Sequence, residues 1–310
     1  MALINSLLSG DRRALARLIT QIENDRPEAR SALAALYPRA GRAHIVGVTG
    51  APGTGKSTLV NEIARAYRQS SRTVAIVAVD PTSPFTGGAI LGDRIRMRDL
   101  SGDPGVFIRS MATRGSLGGL ARATADVATA LDAAGFDVVL IETVGAGQAE
   151  VDIAQLAHTV LVVEAPGLGD DVQAIKAGIL EIADVLVVNK ADQPGAEAAV
   201  RALRGMLSLA NSGHESGREA PICETVATEG RGVPELMAEV DRHRIYLEAS
   251  GRLVERTRAR IRRLIETILH EELYARFVGK NGSSAKIDEA IDAVINRNSD
   301  PYTVVEEILK

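Results

Sequence analysis

The sequence predicts an α/β protein with a mostly parallel central sheet flanked by helices, and with helical extensions at both ends. Short apolar runs rich in Val and Ile alternate along the chain with segments of helical periodicity. The apolar residues within each run are continuous, which is typical of strands that a parallel sheet buries on both faces. The predicted strands are Ile45–Thr49, Val74–Val79, Val138–Ile141, Val160–Val163 and Val185–Val188, with Ile222–Val226 as a candidate sixth.

Helical segments separate these runs and continue beyond them. The intervening helices are predicted over Ser57–Arg68, Leu120–Ala134, Asp171–Glu181 and Glu197–Leu209. Apolar residues at helical spacing predict helices over residues 2–37, and the chain becomes helical again from about residue 234, with a last helix near Lys286–Asn296. We therefore expect a helical extension over residues 1–41, an α/β domain over residues 42–247, and an accessory or dimerising helical arm over residues 248–310.

Composition excludes several classes of protein. The 310 residues are 45% hydrophobic and 25% charged, which is the balance of a globular chain. The net charge of -4 argues against bulk electrostatic binding to nucleic acid. No apolar run approaches the roughly 20 residues that span a bilayer, and the first residues do not resemble a signal peptide. The single cysteine, Cys223, excludes an intramolecular disulfide, so we expect a cytoplasmic protein.

The first predicted strand is followed by a glycine-rich loop that matches the phosphate-binding pattern G-x-x-x-x-G-K-[ST]. Its glycines let backbone N–H groups turn inward around phosphate oxygens, and the following helix adds the positive end of its dipole. Lys56 is expected to reach the β- and γ-phosphates, and Ser57 to bind Mg²⁺. The motif makes the predicted fold that of a P-loop NTPase. Its nucleotide-binding residues are Gly50, Ala51, Pro52, Gly53, Thr54, Gly55, Lys56, Ser57 and Thr58.

A second motif, N-K-A-D, follows the predicted strand Val185–Val188 and indicates guanine as the base. The Asp192 carboxylate accepts hydrogen bonds from guanine N1–H and the exocyclic amine together, whereas adenine offers no such pair of donors. An unpaired buried polar group costs about 1–3 kcal/mol, so adenine is disfavoured. Asn189 and Lys190 are expected to support this loop. After the sixth strand, Val226, Ala227 and Thr228 are candidates to offer backbone N–H groups to guanine O6.

Acidic residues at or after strand ends predict a magnesium site. Glu142 ends a buried strand, where an acid can hold Mg²⁺ directly or through water, and the N–H of Gly145 is placed to meet the γ-phosphate. Asp80 ends another strand, and Asp93 follows a loop rich in Pro, Ser, Thr and Gly. Three carboxylates beside a triphosphate require a cation to neutralise them. A helix N-cap is the alternative for Asp93.

Together these motifs resemble those of the methylmalonyl-CoA mutase-associated GTPase chaperones. The resemblance rests on residues 45–57, V-D-P at 79–81, G-G-A-I-L-G-D-R-I-R-M at 87–97, I-E-T-V-G-A-G-Q at 141–148, A-P-G-L-G-D-D-V-Q-A-I-K-A-G at 165–178 and N-K-A-D at 189–192. It implies a homodimer that hydrolyses GTP to GDP. It also implies binding to an adenosylcobalamin-dependent acyl-CoA mutase, control of cofactor delivery from an adenosyltransferase, and protection or reactivation of the mutase.

The resemblance also implies roles for individual residues. Ser57, Asp80, Asp93 and Glu142 would form the Mg²⁺ set, and Lys56, Asp93 and Glu142 the catalytic set. Asp170, Gln173 and Lys176 would form a further switch that senses the nucleotide or relays its state to the partner. The sequence T-V-A-T-E-G at 225–230 departs from the more usual S-A-x-E-G of the family. The assignment of Ala227 and its neighbours to guanine binding is therefore less specific.

Two other functions remain open on the sequence. A nickel-insertion GTPase for hydrogenase or urease requires metal ligands, but the five histidines are scattered and Cys223 stands apart from them. An ATPase or kinase linked to amino-acid transport requires adenine, against which N-K-A-D argues. The absence of the cobalamin-binding pattern D-x-H-x-x-G favours a chaperone over a mutase.

Overall fold

The computed structural model describes residues 2–80, 98–100, 102–112, 119–143, 148–167, 181–211, 219–280 and 283–309. Its centre is a seven-stranded sheet in the order β3-β2-β4-β1-β5-β6-β7, and every neighbouring pair of strands is parallel. The strands are β1 His44–Thr49, β2 Val74–Asp80, β3 Val106–Ala112, β4 Val138–Thr143, β5 Thr159–Glu164, β6 Val185–Asn189 and β7 Ile222–Thr225. The predicted fold class is confirmed.

One strand was not predicted from the sequence. The β3 strand lies at the edge of the sheet and pairs with β2 along its whole length, from Val74↔Val106 to Asp80↔Ala112. The signal in the sequence was the run of Val106, Phe107 and Ile108. Arg109 interrupts this apolar run. A charged residue is tolerated there, since an edge strand need not be apolar throughout.

The described helices lie before and after β4 in the chain. Those before β4 are α1 Ala2–Leu8, α2 Arg12–Glu23, α3 Pro27–Leu36, α4 Lys56–Gln69 and α5 Gly119–Ala133. Those after β4 are α6 Gln148–Leu156, α7 Ala196–Asn211, α8 Val233–Ala249, α9 Arg252–Lys280, α10 Ser283–Ile295 and α11 Pro301–Leu309. Short 3-10 turns occupy Tyr37–Arg39 and Arg98–Leu100. Most of the helix predicted over Asp171–Glu181 lies outside the described residues.

The two faces of the sheet have separate apolar cores. On one face, Val46 and Val48 of β1 pack with Leu59 and Ile63 of α4 and with Leu236 of α8. On the other face, residues of β2, β4, β5 and β6 pack with α5, α6 and α7 and with the amino-terminal helices. Burial of large apolar side chains is the main stabilising contribution here, at roughly 25 cal/mol per Å². Helices α2 and α3 thus belong to the same core as the sheet.

A buried carboxylate fixes the entry into β1. Asp132 of α5 accepts hydrogen bonds from the backbone N–H groups of Gly41, Arg42 and Ala43, at 2.5, 3.1 and 3.0 Å. Charge-assisted bonds of this kind are stronger than bonds between neutral groups. They hold the connection between the amino-terminal helices and the strand that leads to the glycine-rich loop.

The chain divides into two compact units, Met1–Thr257 and Arg258–Lys310. The first contains the sheet. The second consists of most of α9 together with α10 and α11, and several of its large apolar side chains are exposed: Ile265, Leu269, Leu273, Tyr274, Ile291, Ile295, Tyr302 and Val305. Among the described residues, no helix is both long enough and apolar enough to cross a membrane.

Candidate functional site

Three glycines shape the loop between β1 and α4. Gly50 has φ of 137°, and a Cβ atom built on it would lie 2.1 Å from the carbonyl oxygen of Val163, so only glycine fits this position. Gly53 and Gly55 have φ of 83° and 89°, in the left-handed region that L side chains rarely adopt. Helix α4 begins at Lys56, directly after Gly55. The loop and the helix start therefore have the backbone conformation that the phosphate motif requires.

Lys56 is buried and holds this loop together from within. Its Nζ donates hydrogen bonds to the carbonyl oxygens of Gly50 and Ala51, both at 2.8 Å. The Oγ1 atom of Thr54 donates to the same Ala51 oxygen at 3.0 Å. The ammonium group thus lies against the backbone at the start of the loop. Pro52 and Gly53 are exposed at the tip, and Thr58 faces outward from the first turn of α4.

Ser57 and Glu142 meet at the carboxyl ends of β1 and β4. The strands pair side by side, with Val48 in register with Glu142. The Oγ atom of Ser57 donates to Oε1 of Glu142 at 2.5 Å, and the glutamate is only 2% exposed. A buried carboxylate is costly without a compensating charge or hydrogen bonds. The hydroxyl and carboxylate oxygens of this pair, beside the phosphate loop, are the kind of ligands that Mg²⁺ prefers.

Asn189 connects the phosphate loop with two other loops of the sheet. Its Nδ2 atom donates to the carbonyl oxygen of Thr54 at 2.8 Å. Its Oδ1 atom accepts from the Oγ1 atom of Thr225 and from the backbone N–H of Ala227, both at 3.1 Å. Asn189 is the last residue of β6 and is 2% exposed, so one buried amide fixes the ends of three neighbouring elements.

The rest of the N-K-A-D turn is held in the same way. Lys190 has φ of 57°, and its Nζ donates to the carbonyl oxygen of Gly53 at 2.8 Å. The backbone N–H of Ala191 donates to the carbonyl oxygen of Thr225 at 3.0 Å. The Asp192 side chain is left exposed beside the phosphate loop.

The turn after β7 is closed by an isolated antiparallel bridge between Val226 and Arg231. Val226 and Ala227 are buried, whereas Thr228 is exposed. The N–H of Val226 donates to the carbonyl oxygen of Arg231, and that of Ala227 donates to Asn189. Two of the three backbone donors expected for guanine are thus used within the protein, and of these three only Thr228 has an N–H without such a bond among those described.

Several predicted site residues lie outside the described residues: Asp93, Gly145, Asp170, Gln173 and Lys176. Asp80 is the last residue of β2, at the same edge of the sheet as Glu142. Sequence reasoning missed the hydrogen bond that Thr225 donates to Asn189. The two residues are in register in the sheet, and register between β6 and β7 is not readable from either strand alone.

The fold and these loops define the class of the protein. A parallel sheet with a glycine-rich phosphate loop after its central strand, and an N-K-x-D turn two strands away, is the arrangement of a P-loop GTPase. A model of the family described as methylmalonyl Co-A mutase-associated GTPase MeaB matches residues 15–282. The chain belongs to this family.

Individual relatives cover nearly the whole chain. A protein of Pyrococcus abyssi is 52% identical over 309 residues, which are 99% of this chain and 95% of that protein. GTPase ArgK of Escherichia coli is 31% identical over 312 residues, covering 98% of this chain and 94% of ArgK. The crystal structure of a LAO/AO transport system kinase superposes with a TM-score of 0.74 at 26% identity, covering 99% of this chain and 95% of the other.

A mitochondrial protein of Caenorhabditis elegans, named as a methylmalonic aciduria type A homolog, is 38% identical over 205 residues. That match covers 61% of this chain and 51% of the other. Within the part of the chain that the structure describes, no group of three or more His, Cys, Asp and Glu side chains is placed to hold a metal ion.

Proposed function

We propose that this protein binds GTP with Mg²⁺ and hydrolyses it to GDP and phosphate. The observation that carries the proposal is the position of Asn189, whose amide joins the phosphate loop at Thr54 to the turn after β7 at Ala227. Hydrogen bonds from Asn189 and Lys190 therefore join the N-K-A-D turn to the phosphate loop. A nucleotide whose phosphates lie on the loop would have its base beside Asp192.

Base selection would rest on Asp192. The exposed carboxylate accepts hydrogen bonds but cannot donate them, and guanine presents two adjacent donors at N1–H and the exocyclic amine. The aliphatic part of Lys190 would support one face of the base, since its Nζ is tied to Gly53. The backbone N–H of Thr228 is the remaining donor of its turn for guanine O6.

The phosphates and the metal would lie at the start of α4. Ser57 and Glu142 would hold Mg²⁺, with Asp80 and Asp93 completing the acidic set, and the bound cation would neutralise charge on the phosphate oxygens. Lys56 would exchange its bonds to the loop carbonyls for the β- and γ-phosphate oxygens. Glu142, Asp93 and Lys56 form the proposed catalytic set, and Gly145 would contact the γ-phosphate.

The proposed biological role is control of an adenosylcobalamin-dependent acyl-CoA mutase. The family description and the name of the Caenorhabditis elegans relative support a link to methylmalonyl-CoA metabolism. The nucleotide state would gate cofactor delivery from an adenosyltransferase and protect or reactivate the mutase. Residues 165–176, with Asp170, Gln173 and Lys176, would relay that state.

We further propose that the chain is a cytoplasmic homodimer. The exposed apolar side chains of α9, α10 and α11 support this proposal, because monomers rarely expose so many large apolar groups in one region. The single cysteine supports a reducing compartment. Analytical ultracentrifugation across a concentration series tests the dimer, and a monomer at all concentrations would contradict it.

The proposed base selection is tested by Asp192→Asn. The amide places a donor where guanine also donates, so GTP affinity should fall relative to ATP, on the order of 10- to 100-fold for about 1–3 kcal/mol of unpaired polar groups. Competition of GTP and ATP for a fluorescent nucleotide measures the ratio. Glu197→Gln, which removes an exposed carboxylate at the start of α7, is the matched control. An unchanged preference for GTP in Asp192→Asn would refute the assignment.

The proposed partner is tested by capture of purified acyl-CoA mutases on the immobilised protein in GDP and in a non-hydrolysable GTP analogue. Binding that differs between the two nucleotides is expected for one mutase. Lys56→Ala, which should not hold phosphates, should lose that difference. If no mutase binds in either nucleotide state, the chaperone role is wrong even if GTP hydrolysis is observed.

A further inference from the structure

A chain of buried polar side chains crosses the sheet at the end opposite to the phosphate loop. Nε2 of His44 lies 2.8 Å from Oγ1 of Thr159, which lies 2.9 Å from Nδ1 of His243. Nε2 of His243 lies 3.2 Å from Oδ1 of Asp184. Asp184 in turn accepts two hydrogen bonds from the guanidinium of Arg256, at 2.8 and 2.7 Å. We refer to these five residues as the amino-edge chain.

The members of the amino-edge chain come from different elements that meet at the amino ends of the strands. His44 and Thr159 are the first residues of β1 and β5, and Asp184 immediately precedes β6. His243 belongs to α8, and Arg256 lies in the second turn of α9, two residues before the second compact unit begins at Arg258. The two histidines, the threonine and the aspartate are all at least nine-tenths buried.

For a neutral His243, the hydrogen bonds fix where the protons lie. A carboxylate only accepts, so Nε2 of His243 donates to Asp184. A neutral His243 then has an unprotonated Nδ1, to which the Thr159 hydroxyl donates its only proton. Thr159 must therefore accept from Nε2–H of His44, whose Nδ1 is left without a proton. That nitrogen has no hydrogen-bond partner among the described residues, which an acceptor tolerates better than a buried donor.

Two further observations agree with neutral histidines. Burial, which removes the ring from water, is the main cause that holds the pKa of His44 well below its ordinary value. The guanidinium of Arg256 already supplies a positive charge to Asp184, so a charged His243 would place a second cation on the same carboxylate. Asp184 also accepts from the backbone N–H of Val160 at 2.9 Å.

We propose that Arg256 is a latch that fastens the beginning of α9 to the amino edge of the sheet, and that its release is coupled to protonation of His243. While Arg256 is bound, Asp184 has its counter-charge and His243 is neutral. When Arg256 leaves, the buried carboxylate has lost that cation, which is strongly unfavourable. His243, at 3.2 Å, is the group placed to replace it by taking one proton from solvent at Nδ1.

Protonation reverses one hydrogen bond of the chain. Nδ1–H of His243 then donates to Thr159, and the threonine hydroxyl must turn its proton away. Among the described groups around the histidines, the ring of Tyr246 is stacked on His243 at 6.2 Å, and the ring of His158 is stacked on His44 at 6.1 Å. Nδ1 of His158 accepts from the backbone N–H of Ile45 at 3.2 Å. Arg244 donates to the carbonyl oxygen of Arg42. Neither of these two hydrogen bonds, of His158 and of Arg244, involves Asp184.

Nitrogen-15 NMR of histidine side chains in the full-length protein, near neutral pH, tests the latch. The wild type should show His243 and His44 neutral, each with its proton on Nε2. Arg256→Gln should show His243 as imidazolium, with both nitrogens protonated. Arg256→Lys keeps a cation and should leave His243 neutral. Arg252→Gln, one turn earlier on α9 and stacked on Tyr246, is the control that should change nothing.

Thr159→Val and Thr159→Ser test the proton order independently. Serine keeps the hydroxyl and should preserve both tautomers, whereas valine removes it and should release His44 to a mixture of tautomers while His243 stays on Asp184. A charged His243 in the wild type would overturn the proposal, and so would a neutral one in folded Arg256→Gln. If Arg256→Gln does not fold, a charged His243 in the wild type, or a neutral one with its proton on Nδ1, still overturns the proposal.

Discussion

Replacement of Gly55 by alanine should weaken both the fold and nucleotide binding, because two separate effects act there. The residue has φ of 89°, and an L side chain in the left-handed region costs about 1–2 kcal/mol. A Cβ atom would also lie 2.5 Å from Nδ2 of Asn189. The amide must move, and its bond to the carbonyl oxygen of Thr54 is lost, which costs about 1–3 kcal/mol for buried groups. The sum is a destabilisation of about 2–5 kcal/mol.

Gly53→Ala separates the two effects. Gly53 has φ of 83° in the same loop, but a Cβ atom there would meet nothing within 4 Å. It should therefore lose only the backbone part, about 1–2 kcal/mol. Urea unfolding of both variants without nucleotide measures the free energies, and the excess for Gly55→Ala reports the Asn189 contact. Equal destabilisation of the two variants would refute the claim that Asn189 holds the phosphate loop.

Three further outcomes follow from the described contacts. Gly47→Ala would place a Cβ atom 2.5 Å from Cγ2 of Ile153 in α6, so the free energy of unfolding should fall by about 1–3 kcal/mol. Adding Ile153→Ala to the same chain should relieve much of this clash. Strictly additive free-energy changes for the two substitutions would contradict the predicted contact. Because burial keeps the pKa of His44 well below 6.5, the unfolded state binds more protons below that pH, and stability should fall there by up to about 1.4 kcal/mol per pH unit. His44→Gln, compared by denaturant unfolding across pH, should lose that part of the slope, and an unchanged slope would count against a neutral His44. Burial raises the pKa of the Cys223 thiol to about 11. Alkylation of this thiol at pH 8 should therefore be on the order of a hundredfold slower in the folded protein than in urea. Equal alkylation rates in the two states would contradict a buried thiol.

The parts of the site that the sequence predicted are those that depend on local backbone conformation. The positive φ angles of Gly50, Gly53 and Gly55 explain why glycine recurs in the loop, and this requirement is visible in the motif itself. The buried runs of β1, β4, β5 and β6 were likewise visible, because strands covered on both faces are apolar throughout. The edge strand β3 was missed because Arg109, which pairs with Glu23 of α2, breaks its apolar run.

The sequence by itself determined the class of fold, the phosphate loop and the presence of the N-K-A-D motif, since each is encoded by residues that are neighbours in the chain. Only the tertiary structure decided which distant groups meet. Asn189 reaches Thr54 across 135 positions, and His44 is joined to Arg256 through Thr159, His243 and Asp184. The physical reason is that strand order and register set these distances, and both result from the packing of helices on the two faces of the sheet rather than from any local pattern.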